Sequence, residues 1–162
     1  MHPADALPFD ELEVGREWES APRPVRAEDL RAFTDLTGDT SPVHLGPEGG
    51  AAGPEAARGL FGPSVATGLA VGCPPVRTIA FVAIRDWQFS GPIAAGDAVR
   101  IRNRVQAVTP RGVGRRGEVV WRVEILNQRD EVVQSGQIVS LVEGRLGGLR
   151  PGRPAAPGSP GR

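Results

Sequence analysis

Asp39 and His44 stand five positions apart on a segment where a carboxylate and an imidazole can act together. The run Phe33-Thr-Asp-Leu-Thr-Gly38-Asp39-Thr40-Ser41-Pro42-Val43-His44 starts in a helical pattern and breaks it at Gly38. Asp39 then emerges in a tight turn, Pro42 stiffens the next stretch, and His44 can point back toward Asp39. A carboxylate and an imidazole on one short loop can bind and polarise a single water between them. The same spacing also suits a plain Asx turn followed by a loop histidine. The surrounding elements have to separate the two.

Other chemistries are closed by composition. All 19 basic side chains are arginine, and tyrosine is absent. Schiff-base lysines, a phosphate-loop lysine and tyrosine general acids are therefore impossible. With His2 and His44 as the only histidines, no metal cluster of ordinary ligand spacing can be assembled, so no metal site is expected. The lone Cys73 excludes an intramolecular disulfide and reads as a buried packing residue. Gly112-Val-Gly-Arg-Arg-Gly117 matches a dinucleotide fingerprint in letters, but a strand pattern follows where a helix is needed, which points to a glycine-rich hairpin. Gly62-Pro-Ser64-Val-Ala66 lacks the last glycine of a nucleophile elbow, leaving Ser64 as a helix cap.

The elements that must position Asp39 and His44 are legible as periodicities. A helix is expected from Ala27 to Thr37, with Leu30, Phe33, Leu36 and Thr37 on one face and Gly38 as its stop. Residues 39–62 form a long loop rich in Gly, Ala and Pro. Residues 59–76 carry no charged side chain. Their prolines and glycines argue against a membrane span and for a helix over Val65–Cys73, buried on all sides and capped by Ser64 or Thr67. Strands follow at Phe81–Phe89, around Val99–Val105, around Val119–Ile125 and at Val132–Val142. Turns at Gly96–Asp97 and Asn127–Glu131 suggest an antiparallel meander. Arg100, Arg102 and Arg104 share one strand face, read as solvated rather than as a phosphate strip. One helix and a long antiparallel sheet give an α+β domain over residues 1–146, with the sheet curled round the helix.

At 162 residues the chain suits one domain, and its formal net charge of zero gives no field to recruit nucleic acid or an anionic membrane. The acidic first fifteen residues make no signal peptide, so a cytoplasmic protein is expected. Residues 147–162 are almost wholly Gly, Pro, Arg, Ala and Ser and read as a disordered tail.

The segment through Asp39 and His44 resembles the hydratase-2 motif of the MaoC-like, (R)-specific enoyl-CoA hydratases and dehydratases. In that motif a helix ends in Ser/Thr-Gly-Asp and is followed by x-Asn-Pro-x-His. Phe61-Gly-Pro-Ser-Val-Ala-Thr67-Gly68-Leu69 resembles the family's entry into its central helix. Trp87-Gln-Phe89-Ser-Gly-Pro92-Ile-Ala-Ala-Gly96-Asp97 resembles its Trp-x-Phe…Pro-Val…Gly-Asp strand and turn, and Asn127-Gln128 its last hairpin. The likeness runs from about residue 8 to residue 143. It departs at Ser41, where the family has asparagine, at Thr67, where it has histidine, and at Gly46, where it has an acid.

The resemblance implies a hot-dog fold, with a five-stranded antiparallel sheet wrapped around one long central helix. It further implies a homodimer, or pairing with a homologous subunit. Asp39 and His44 fall on the catalytic pair, and Ser41 on the residue that helps hold the water. Gly68 falls on the amide that polarises the thioester carbonyl from the helix N-terminus, with Thr67 beside it. The implied reaction is reversible hydration of a trans-2-enoyl thioester to a (3R)-hydroxyacyl thioester, on coenzyme A or an acyl-carrier protein and without a cofactor. Thioester hydrolysis and a non-catalytic or partner-dependent subunit are the alternatives, the latter motivated by Ser41, Thr67 and Gly46. A chain truncated before Gly147 should fold as the full chain does, because the tail has too little apolar surface to pack. Thermal unfolding of both lengths checks this, with closely matching midpoints expected.

Overall fold

A strand that buries every second side chain needs a partner on each side and a cover on one face, and the C-terminal half of this chain is made of such strands. The computed structural model describes residues 6–39, 56–57, 59–112 and 115–145. Chain order is β1 (Glu17–Glu19), β2 (Arg23–Pro24), α1 (Ala27–Thr37), α2 (Phe61–Leu69), β3 (Thr78–Phe89), β4 (Ala98–Arg111), β5 (Arg116–Leu126) and β6 (Val132–Glu143). In β4, Val99, Ile101, Asn103 and Val105 are buried. Val119, Trp121, Val123 and Ile125 do the same in β5, facing α2 and the N-terminal segment.

The sheet is antiparallel with order β1-β4-β5-β6-β3, and β2 also pairs with β4. β4–β5 and β5–β6 are the expected hairpins, with Arg111 opposite Arg116 and Leu126 opposite Val132. The glycine-rich run at Gly112–Gly117 therefore links two strands; its Val113 and Gly114 lie outside the described residues. The Asn127 side chain organises the second turn, accepting from the Arg129 and Glu131 amides at 2.9 and 3.1 Å.

Two expectations about the sheet change. It has six strands rather than five, because β1 and β2 are too short for an alternation to reveal them. Gly96–Asp97 does not close a hairpin either. The turn is tied instead to the segment before α1, where the Gly96 amide donates to the Val25 carbonyl and the Val25 amide to the Asp97 carbonyl. β3 consequently pairs with β6 and lies at the far edge of the sheet from β4.

The helices also differ from expectation. α1 spans Ala27–Thr37 as the pattern demanded, its N-terminus closed by the Asp29 carboxylate accepting from the Arg26 amide at 3.0 Å. Leu30 is buried, and Phe33 meets Phe61 edge-to-face at 5.6 Å. Leu36, placed on that face by the periodicity, is 82% exposed. α2 starts at Phe61, four residues before the expected Val65, and ends at Leu69, with a 3-10 turn over Ala70–Gly72. Pro63 fits its first turn, where an amide donor is not required. Ser64 and Thr67 are not caps; their hydroxyls donate back to the Leu60 and Ser64 carbonyls at 2.8 Å each. α2 buries Phe61, Gly62, Pro63, Val65 and Ala66 and leaves Ser64 and Gly68 exposed, so it is not enclosed on every side. The helix held by the sheet is thus nine residues long, short of the long helix expected.

The ladder that holds the edge strand to β6 includes one close approach. A bulge between Arg85 and Gln88, with Asp86 at φ 49°, lays Trp87 across Gly136 of β6. A Cβ on Gly136 would come within 2.9 Å of the Trp87 Cα. The Trp87 indole donates to Gln134 at 3.2 Å. Gly136→Ala should therefore cost about 1–3 kcal/mol, the range for overpacking a filled site. Urea unfolding with an unchanged slope and a lowered midpoint would report it.

Candidate active site

Asp39 is delivered by the end of α1. The Thr34 and Thr37 hydroxyls donate to carbonyls one turn back, Thr34 to Leu30 at 2.9 Å and Thr37 to Phe33 at 2.8 Å. Gly38 turns left-handed, at φ 66° and ψ 12°, while its amide still donates to the Thr34 carbonyl at 2.8 Å. That conformation costs a glycine nothing and directs the chain off the helix axis. The Asp39 amide then donates to the Thr37 hydroxyl at 3.4 Å, and Asp39 itself is half-buried. The backbone leading into Asp39 is thereby anchored to α1. Ser41, His44 and Gly46 lie outside the described residues, as does His2.

Thr67 and Gly68 were expected to work side by side at a helix N-terminus. They stand instead near the C-terminal end of α2. At that place in an α-helix an amide N–H belongs to the bond four residues back, so Gly68 has no free donor to offer. Successive helical residues also point about 100° apart, and the two therefore face different spaces. Gly68, with Ser64, lines an open groove of about 530 Å3 between α1 and α2, walled by Phe33, Leu36 and Phe61. Thr67 lines an apolar cavity of about 330 Å3 between the end of α2 and β3. Its mouth carries the exposed Val71, Ile79 and Phe81, and its floor the buried Trp121 and Ile138.

Polar groups under that cavity went unnoticed in the sequence. Asn103 donates through Nδ2 to the Cys73 carbonyl at 2.6 Å, and the Trp121 indole donates to the Ser140 hydroxyl at 2.9 Å. The available signal was alternation, since Asn103 occupies an inward position between Ile101 and Val105. Burial, with the charge of Glu19 adding to it, pushes the Cys73 thiol above its ordinary range and keeps it protonated.

On the other face of β4 the arginine row is already engaged. Arg100 meets Glu19 and Asp130 at 3.3 and 2.8 Å, Arg102 meets Glu19 and Glu124 at 2.7 and 3.3 Å, and Arg104 meets Glu17 at 2.9 Å. The Arg102 guanidinium, then Arg100, holds the Glu19 carboxyl below its usual value. These charges form an ion-pair ladder across β1, β4 and β5, as a solvated face should. Among the described residues there is no His, Cys, Asp and Glu grouping able to hold a metal. None of the described helices is long and apolar enough to cross a membrane.

Residues 11–127 match the family model of the MaoC-like domain. A search of curated proteins finds no match. Among solved structures, a monoamine oxidase regulatory protein from Archaeoglobus is 25% identical with a TM-score of 0.75, covering 90% of this chain and 100% of that one. A MaoC-like dehydratase from Rhodospirillum rubrum is 26% identical with a TM-score of 0.69, covering 87% and 99%. The (R)-hydratase PhaJ1 from Pseudomonas aeruginosa is 20% identical with a TM-score of 0.62, covering 86% and 88%, a likeness of fold alone.

Proposed function

Since this chain belongs to the MaoC-like domain family, a hot-dog fold, we propose that it reversibly hydrates a trans-2-enoyl thioester to the (3R)-hydroxyacyl thioester. The observation that carries this reading is the delivery of Asp39 by a left-handed Gly38 at the end of α1, inside the span the family model matches.

In this reading Asp39 and His44 share one water, with the Ser41 hydroxyl helping to hold it. Asp39 accepts a proton as the water oxygen bonds to C3, and His44 supplies a proton to C2, so H and OH add across the double bond. Both groups return to their starting states by exchange with solvent. Charge that gathers on the thioester oxygen needs a donor. With the Gly68 amide committed to its helix, the Thr67 hydroxyl takes that role by turning from the Ser64 carbonyl. The apolar cavity that Thr67 lines receives the acyl chain. The carrier is coenzyme A or an acyl-carrier protein, and no cofactor enters the scheme.

The helical commitment of Gly68 also favours a second reading, a non-catalytic or partner-dependent subunit. Incubation with crotonyl-CoA and a longer enoyl-CoA separates the possibilities. Loss of enoyl absorbance without free thiol supports hydration, free thiol supports hydrolysis, and neither leaves the second reading or a substrate of another acyl chain.

A partner copy, or a homologous hot-dog subunit, belongs to the same proposal. The edge strand β3 leaves Ile79, Phe81, Val82, Ile84 and Phe89 each more than half exposed. An apolar edge of this length favours pairing with another strand.

Asp39→Asn keeps the shape and removes the base. It should lower turnover by about 10²–10⁴-fold while leaving the fold intact, and combining it with His44→Ala should add little. Steady-state rates on any substrate the parent hydrates check this, with circular dichroism as the control for folding. Light scattering at micromolar concentrations should give about twice the 17.1 kDa chain mass. Ile84→Lys on the β3 edge should return it to the single-chain value.

A further inference from the structure

Among the described residues, one buried side-chain carbonyl beside the apolar cavity between α2 and β3 has no hydrogen-bond partner. Asn103 is 3% exposed, its Nδ2 is spent on the Cys73 carbonyl at 2.6 Å, and its Oδ1 has no hydrogen-bond partner among the described residues. The orientation of the amide is fixed, because a carbonyl accepts only from the NH2 end. A buried acceptor left unmatched destabilises the state that contains it, and a donor brought to it recovers that loss. The Thr67, Thr78 and Ser140 hydroxyls that share the cavity can each turn to donate or accept, and Ser140 already accepts from Trp121 while Thr67 donates to Ser64, whereas the Asn103 carbonyl can only accept. Asn103 is therefore the group whose demand an occupant can meet.

We propose that Asn103 makes this pocket selective for an acyl or alkyl group that carries a hydrogen-bond donor, a hydroxyl or an N–H, at the end reaching the cavity floor. The surrounding wall of Ala66, Val71, Ile79, Trp121 and Ile138 suits an aliphatic body. A volume of about 330 Å3 holds roughly ten water-sized groups, enough for a chain of about six heavy atoms with space to turn. Oδ1 is covered in the empty cavity, so the donor meets it as the entering chain parts the side chains above. Assigning the occupant to the acyl end of the substrate rests on the hydration reading above. Selectivity for a donor by the pocket does not.

The probes are two isomers of equal size, hexan-1-ol, which donates, and methyl pentyl ether, which only accepts. Each is titrated into the full-length protein by calorimetry. Cys73, the chain's single thiol, lines the same cavity, and slowing of its alkylation shows where the probe sits. The alcohol should bind about tenfold more tightly than the ether and should slow Cys73 alkylation. In Asn103→Leu, of similar volume, the preference should fall to about one. Equal binding of the two isomers by the parent overturns the proposal, as does no binding of either. A preference that survives in Asn103→Leu overturns the role of Asn103. If that variant fails to fold, the comparison within the parent still decides. Because neither isomer can be hydrated, failure here is separate from failure of the hydration assay.

Discussion

The inner face of the sheet is longer than the helix that covers it, and much of the architecture follows from that mismatch. Strands of 11–14 residues run roughly 36–46 Å. The nine residues of α2 extend about 13 Å. The uncovered length has to be met by other means, because an apolar sheet face left in water gives up the burial that stabilises it. The N-terminal segment meets part of it. The Phe9 ring packs on Gly117, where a side chain would collide with it, and Trp18 stands edge-on to Trp121 with ring centres 6.5 Å apart.

Where cover runs out, the structure leaves an apolar cavity and an apolar edge, and both lie around β3. The cavity opens between the last turn of α2 and Thr78–Phe81, over Trp121, Ile138 and Asn103. The edge carries its large side chains toward open space on both faces of the strand. A bulge at Asp86 breaks the regular alternation there and turns Trp87 inward over Gly136. The strand is thus paired with β6 along its inner side and without a neighbouring strand among the described residues along its outer side, an arrangement suited to a second chain completing the sheet. The opposite side of the sheet is electrostatically quiet: the arginines of β4 meet glutamates from β1 and β5, and surface pairs of this kind contribute little to stability.

The two ends of the proposed site are built by different rules. The backbone that carries Asp39 is shaped by local chemistry. Two threonine hydroxyls, one left-handed glycine and an amide-to-hydroxyl bond act within six residues of one another. The thioester end depends on where a helix starts. Moving the start of α2 from Val65 to Phe61 shifts Gly68 from the first turn of the helix to near its C-terminal end. It also sends Thr67 and Gly68 into separate spaces.

What sequence determined is what short-range periodicity and turn chemistry can express. The bounds of α1, its stop at Gly38, the inward rows of β4 and β5 and the two C-terminal hairpins all follow from residues within a few positions of each other. The family likeness through Gly38 and Asp39 was legible for the same reason. Only tertiary structure decided where β1, β2 and β3 join the sheet. The Gly96–Asp97 turn has the composition of a hairpin turn, yet it exchanges hydrogen bonds with Val25, which is distant in sequence. Tertiary contact also set the early start of α2, where Gly62 fits against Gln134 of β6 and Phe61 against Phe33. The same contacts left Leu36 exposed and Asn103 half-satisfied under a cavity. Periodicity can say which face a side chain takes, but the partner on that face comes from elsewhere in the chain, and only packing reveals whether one is present.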